Sequence, residues 1–159
     1  MTATERCACF RFRFPSDQTG RILIQPIKDA SWFRVGGNRI EGYTRGNNGG
    51  VPHGFACYIY GEVDTEVSGT CLFAGDEVYR GDGEAEQVGV SIDLASGGEV
   101  TFRLATSFIS VDQAKRNFGR EVGERSFESL CEENENVWEE HLGRIEIAGT
   151  TEEQKRTFY

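Results

Sequence analysis

The spacing of apolar residues changes once along this chain, from every second residue to about every 3.6. That change limits the folds open to it. From Cys7 to Phe14 the sequence reads Cys-Ala-Cys-Phe-Arg-Phe-Arg-Phe. Phe10, Phe12 and Phe14 fall on one side of an extended chain and Arg11 and Arg13 on the other, as in a half-buried strand. After turn chemistry at Pro15 to Gly20, Arg21 to Gln25 continues as a short strand stopped by Pro26. Trp32 to Val35 and Asn38 to Tyr43 are further extended segments, split by Gly36-Gly37. Phe55 to Val63 follows, with Phe55, Cys57, Ile59, Gly61 and Val63 on one face. Val88, Val90, Ile92 and Leu94 alternate with polar or small residues, Ala95 to Gly98 forms a turn, and Val100, Phe102 and Leu104 return. This reads as a hairpin. Strands at such intervals predict a mainly β fold, an antiparallel β-sandwich.

Helical spacing begins at Ser110, where Ser110 and Gln113 have the separation of a capping box, and the helix they open is expected to end near Gly119. Ser126 opens a longer one. Phe127, Leu130, Cys131, Val137, Trp138 and Leu142 share a stripe, with Glu128, Glu132, Glu133, Glu139 and Glu140 outside it. Trp138 reads as core on this pattern, and Gly143 as the stop. Arg144 to Ala148 is expected to be extended, with Ile145 and Ile147 on one side. Thr151 and Gln154 make a second capping-box pair, and the apolar face that follows has only begun at Tyr159. The expectation is a helix that continues into a following domain, since helices this short barely form alone. The chain thus divides into a β-sandwich portion, residues 1–109, and a helical linker, residues 110–159.

Glycine is 20 of 159 residues against 3 prolines, a composition of many tight turns. Lysine and arginine number 17 and acids 26, a net charge of −9 that repels phosphate backbones and argues against nucleic acid as a partner. No apolar run reaches the roughly 20 residues of a membrane helix, so no membrane partner is expected. The five cysteines, Cys7, Cys9, Cys57, Cys71 and Cys131, form no CxxC pair and read as reduced thiols, which leans towards a cytoplasmic location.

Catalytic chemistry is hard to place. A Cys–His pair would have to use His53 or His141, and His141 lies on the long amphipathic helix. The glycine pairs match neither a dinucleotide nor a phosphate-binding loop. Gly75-Asp76-Glu77 and Gly81-Asp82-Gly83-Glu84 lack calcium-loop spacing and read as acidic turns, so no metal ligands are assigned. Trp32, Tyr43, Tyr58 and Tyr60, each an apolar face with a polar tip, could stack against sugar rings. Tyr43 and His53, beside and within the loop Thr44 to Gly54, are the candidate substrate contacts.

The last third of the chain resembles glycoside hydrolase family 92, the calcium-dependent exo-acting α-mannosidases. The resemblance is carried by Ser107-Phe108-Ile109-Ser110-Val111-Asp112-Gln113-Ala114, by Asn117, Glu121, Ser126-Phe127, Trp138-Glu139, Leu142 and Arg144-Ile145-Glu146-Ile147, and above all by Gly149 to Tyr159. Thr2 to Arg6 is similar to a strand from the middle of that family's β domain. The resemblance implies part of a galactose-mutarotase-like supersandwich, followed by linker helices leading to an (α/α)6 catalytic barrel. It implies that the barrel holds the acid, the base and the calcium, so no catalytic residue and no cofactor is assigned to this chain, and the chain alone is expected to be inactive. The function implied is a non-catalytic domain that packs on the barrel and shapes its entrance for terminal α-mannosides. The alternative is a free-standing carbohydrate-binding or interaction module. Either way, the apolar helical stripe is expected to support self-association where nothing else covers it.

Overall fold

The computed structural model describes residues 1–26, 31–47 and 49–159. Asn48, inside the predicted loop, lies outside the described residues. The strands are β1 (Thr2–Ala3), β2 (Cys7–Phe14), β3 (Arg21–Ile24), β4 (Ser31–Gly36), β5 (Arg39–Thr44), β6 (Cys57–Val63), β7 (Val67–Ala74), β8 (Glu77–Arg80), β9 (Gly83–Glu86), β10 (Gly89–Leu94) and β11 (Gly98–Ser107). The helices are α1 (Val111–Glu121), α2 (Phe127–Leu142) and α3 (Glu152–Phe158). A seven-stranded sheet in the order β1-β2-β11-β6-β5-β4-β9 lies against a four-stranded sheet, β3-β10-β7-β8. Among the described residues the strand pairs are antiparallel. The antiparallel β-sandwich expected from the alternation is therefore the architecture.

The core fills the space between the sheets. Phe33, Val35, Ile40, Val63, Val100 and Phe102 of the large sheet meet Ile22, Val90, Ile92 and Leu94 of the small one. Phe10, Phe12 and Phe14 line its margin from β2. Burying each such side chain contributes about 1.5–3 kcal/mol. Glycine makes room for the rings at one close approach. A Cβ on Gly42 would stand 2.2 Å from the Trp32 carbonyl oxygen and 2.4 Å from the Phe33 ring.

A third layer covers the outer face of the large sheet. Cys7, Cys9 and Ala105 point away from the sandwich and are buried with Phe118 and Val122 behind α1 and with Leu130 of α2. Asn117 donates to the Thr106 carbonyl at 2.9 Å, tying α1 to the end of β11. Glu121 clasps the opposite end of the chain, accepting from Thr4 Oγ1 at 2.6 Å, the Arg6 backbone N–H at 2.9 Å and the Arg6 guanidinium at 2.8 Å.

Four sequence expectations require correction. The predicted hairpin of Val88–Leu94 with Val100–Leu104 does not form. β10 pairs with β3 and β7 while β11 pairs with β2 and β6, so Ala95–Gly97 is an arch that carries the chain from one sheet to the other. Strands adjacent in one sheet and strands facing across a sandwich need the same alternation, so periodicity cannot separate them. The arch is held under the β2–β3 turn, where a Cβ on Gly97 would stand 2.0 Å from the Pro15 carbonyl oxygen. Second, Phe55 lies outside β6, in a turn closed by its N–H on the Pro52 carbonyl at 3.2 Å.

Third, Arg144 to Ala148 is not a strand, and Ile145 is exposed. With no sheet edge beside it, the alternation has nothing to pair with. Fourth, Trp138 is not core. It is 57% exposed, beside exposed Val137 and Leu142, and Leu130 is the buried residue of α2. The first turns of α2 pack on β1 and β2, and the later turns extend past them. The caps follow the sequence: Ser110, Ser126 and Thr151 accept from Gln113, Ser129 and Gln154. At Ser110 the box is half made, because the Gln113 amide turns to Asn117 at 2.9 Å.

Candidate functional site

The pleat of the large sheet sorts its aromatic residues. Phe33, Ile40, Gly42 and Ile59 point inward, so Trp32, Tyr43 and Tyr58 must point outward. Register does the rest. Trp32 pairs with Tyr43 and Tyr43 with Tyr58, setting three rings in one line across β4, β5 and β6. The Trp32 and Tyr43 rings stack with centroids 6.1 Å apart, and Tyr58 meets Tyr43 edge-on at 5.9 Å. All three are half-buried. Arg45 lies 4.6 Å over the Tyr43 ring and Arg34 lies 5.5 Å over Trp32.

Tyr60, the fourth aromatic candidate, does not join them. It lies one row along, under α1, with Phe118 edge-on at 5.1 Å and Lys115 over its ring. Burial pushes its hydroxyl up to about 12, helped by its hydrogen bond to Glu62. Glu41, beside it, takes ion pairs from Arg34 and Lys115. This row is an ionic seam holding α1 on the sheet.

His53 is exposed in the turn that Pro52 and Phe55 close, and the described contacts of the ring row do not include it. The same loop turns Phe55 onto Phe108, with centroids 5.0 Å apart, leaving them 37% and 67% exposed beside exposed Ile109. The alternation that reads Phe55 as part of a strand hides this apolar end of the sheet in the sequence. Three of the five thiols have no nucleophilic setting. Burial pushes Cys7 up to about 12, reinforced by the charge of Glu121, and raises Cys9 and Cys57 as well. Asp82, in an acidic turn, accepts from Thr70 Oγ1 at 2.8 Å and the Gly37 N–H at 3.1 Å, which makes it a structural tie. Among the described residues no three His, Cys, Asp or Glu side chains gather to hold a metal ion.

Residues 1–107, two-thirds of the chain, match the family model described as the glycosyl hydrolase family 92 N-terminal domain. The chain belongs to glycosyl hydrolase family 92. Residues 113–159 match the model of the same family's catalytic domain, so segments of both domains run in tandem in one chain. No curated protein sequence matches. Among solved structures, a family GH92 inverting mannosidase from Bacteroides thetaiotaomicron VPI-5482 is 33% identical, with a TM-score of 0.90 over 99% of this chain and 22% of its own. The GH92 glycosyl hydrolase ccman5 is 20% identical, with a TM-score of 0.81 over 94% of this chain and 21% of its own. A GH92 alpha-mannosidase from Bacteroides thetaiotaomicron is 19% identical, with a TM-score of 0.73 over 93% and 22%. The last two show likeness of fold alone. The chain spans about a fifth of the length of these relatives.

Proposed function

We propose that this chain is the non-catalytic β-domain portion of an α-mannosidase, acting as a scaffold that packs on a catalytic (α/α)6 barrel and shapes its entrance. Residues 1–109 are the sandwich and residues 110–159 the helical connection. The observation that carries this reading is the 33% identity over 99% of the chain with a protein described as an inverting mannosidase. Terminal α-mannosides are the substrates proposed for the full protein, and its calcium is assigned to the barrel. The exposed strip of Val137, Trp138, Leu142 and Ile145 supports a seat for that barrel. Inverting hydrolysis needs an acid and a base roughly 6.5–9.5 Å apart around a water, and no residue of this chain is proposed for either role.

The purified chain, assayed on α-1,2-mannobiose with and without calcium, is expected to release no mannose, and calcium-stimulated release would overturn the scaffold reading. Added to a family 92 barrel made without its β domain, the chain is expected to raise the barrel's melting temperature and its turnover of mannobiose. No change in either would equally reject it. Where nothing covers the helical strip, we propose that two copies pair through it. Sedimentation is then expected to show a dimer that Trp138→Glu returns to monomer, and a monomer at the outset rejects the pairing. The free thiols support a reducing, cytoplasmic location.

A further inference from the structure

The ring row on the large sheet is half-buried, and helices cover its neighbours. Following the strand register from β9 to β11, the outward line is Glu86, Trp32, Tyr43, Tyr58 and Ser107. α1 lies over β11 and β6 and α2 over β1 and β2, so Trp32 and Tyr43 stand on the side these helices leave uncovered. Three aromatic side chains gathered outside the core need a reason, because each would be better buried.

The charges around them differ in one respect. Arg34, over Trp32, is tied to both Glu41 and Glu84. Arg45, over Tyr43, is exposed and meets no carboxylate among the described residues, although the chain carries 26 acids. Among the described residues no ion pair would be broken if it left the ring for a ligand. The ligand chemistry follows from these parts. Ring faces accept the apolar C–H face of a pyranose, while the two tyrosine hydroxyls, the indole N–H and the Arg45 guanidinium offer polar contacts to its hydroxyls. Exposed Glu86 adds an acceptor at the β9 end. The net charge of −9 disfavours phosphorylated or polyanionic ligands.

We infer that this face binds a neutral pyranoside against Tyr43 and Trp32, with Arg45 donating to its hydroxyls. The inference needs no hydrolase activity and stands on the sheet face alone. Affinity for a single ring on an open face is expected to be in the millimolar range, about 1–10 mM.

Only two tryptophans are present, so Trp138→Phe leaves Trp32 as the sole indole reporter. Titrating that variant with methyl α-mannopyranoside and with α-1,2-mannobiose is expected to change Trp32 emission saturably. Tyr43→Ala, shown folded by an unchanged circular dichroism spectrum, is expected to lose saturation, and Arg45→Gln to weaken binding about threefold. Saturable binding of methyl β-glucopyranoside instead would keep the sugar site while weakening its link to a mannosidase. No saturable change with any of the three probes would overturn the inference. So would a self-associated chain that Tyr43→Ala converts to monomer, since the row would then be a protein interface.

Discussion

The sandwich and the far half of α2 are written in the same alphabet of apolar residues, yet they meet solvent in opposite ways. Ile92, Leu94 and Val63 are fully enclosed between the sheets, whereas Val137, Trp138 and Leu142 are 47%, 57% and 39% exposed. The contrast runs even within one helix, because Leu130, two turns before Trp138, is 1% exposed. An apolar stripe states which face of an element is meant to be covered. It does not state what covers it.

That comparison can be broken at several points. Phe33, 2% exposed at the centre of the sandwich, is expected to cost about 3–5 kcal/mol as Phe33→Ala, read by urea denaturation. A loss under 1 kcal/mol would mean that the sandwich is no better packed than the tail. Gly42→Ala should cost about 1–3 kcal/mol, because the new methyl group meets the Trp32 carbonyl and the Phe33 ring. An unchanged melting temperature would contradict the close approach of β4 and β5.

The Glu121 clasp ties the end of α1 to the turn between β1 and β2 and predicts a pH dependence. Partial burial alone would raise its carboxyl, but hydrogen bonds from Thr4 and Arg6 outweigh this and hold it below its ordinary value of 4.5. A depressed carboxylate stabilises the fold above its unfolded value and loses that contribution as pH falls through the folded one. Glu121→Gln is therefore expected to cost about 1–2 kcal/mol at pH 7 and progressively less below pH 4.5, so the two stability curves converge in acid. Parallel curves would show that the clasp is not ionic. The smallest effect belongs to Trp138→Ala in the monomer, within about 0.5 kcal/mol. A loss of several kcal/mol in dilute solution would show that the tail is covered after all.

What could be read from the sequence follows from what is local. The caps at Ser110, Ser126 and Thr151 are contacts three residues long, and the alternation of Cys7–Phe14 is visible within one strand. β8 is illegible in the sequence for a physical reason. Glu77–Arg80 is exposed along its whole length, so it carries no inside and outside to alternate. The arch at Ala95–Gly97 depends on which sheet each flanking strand joins, a choice made by β2, β3, β6 and β7 from elsewhere in the chain. Tyr43 stood out as a residue type. Its company, Trp32 and Tyr58, is set by register across a tight turn and a long loop, while His53, in that same loop, is exposed and outside the described ring contacts.

The pairing of β2 with β11 has a consequence for how the molecule is made. The Thr106 backbone N–H reaches the Arg6 carbonyl across 100 residues of chain, so one of the first strands waits for one of the last. Such distant pairing is slow to form. Throughout that wait Phe10, Phe12 and Phe14 have no cover, a row suited to joining the same row on another chain. Arg11 and Arg13 interrupt it at alternate positions. In the finished molecule they are surface ion-pair partners of Glu99 and Glu128. In the unfinished one their charges keep nascent strands apart, as gatekeepers against aggregation until the partner arrives.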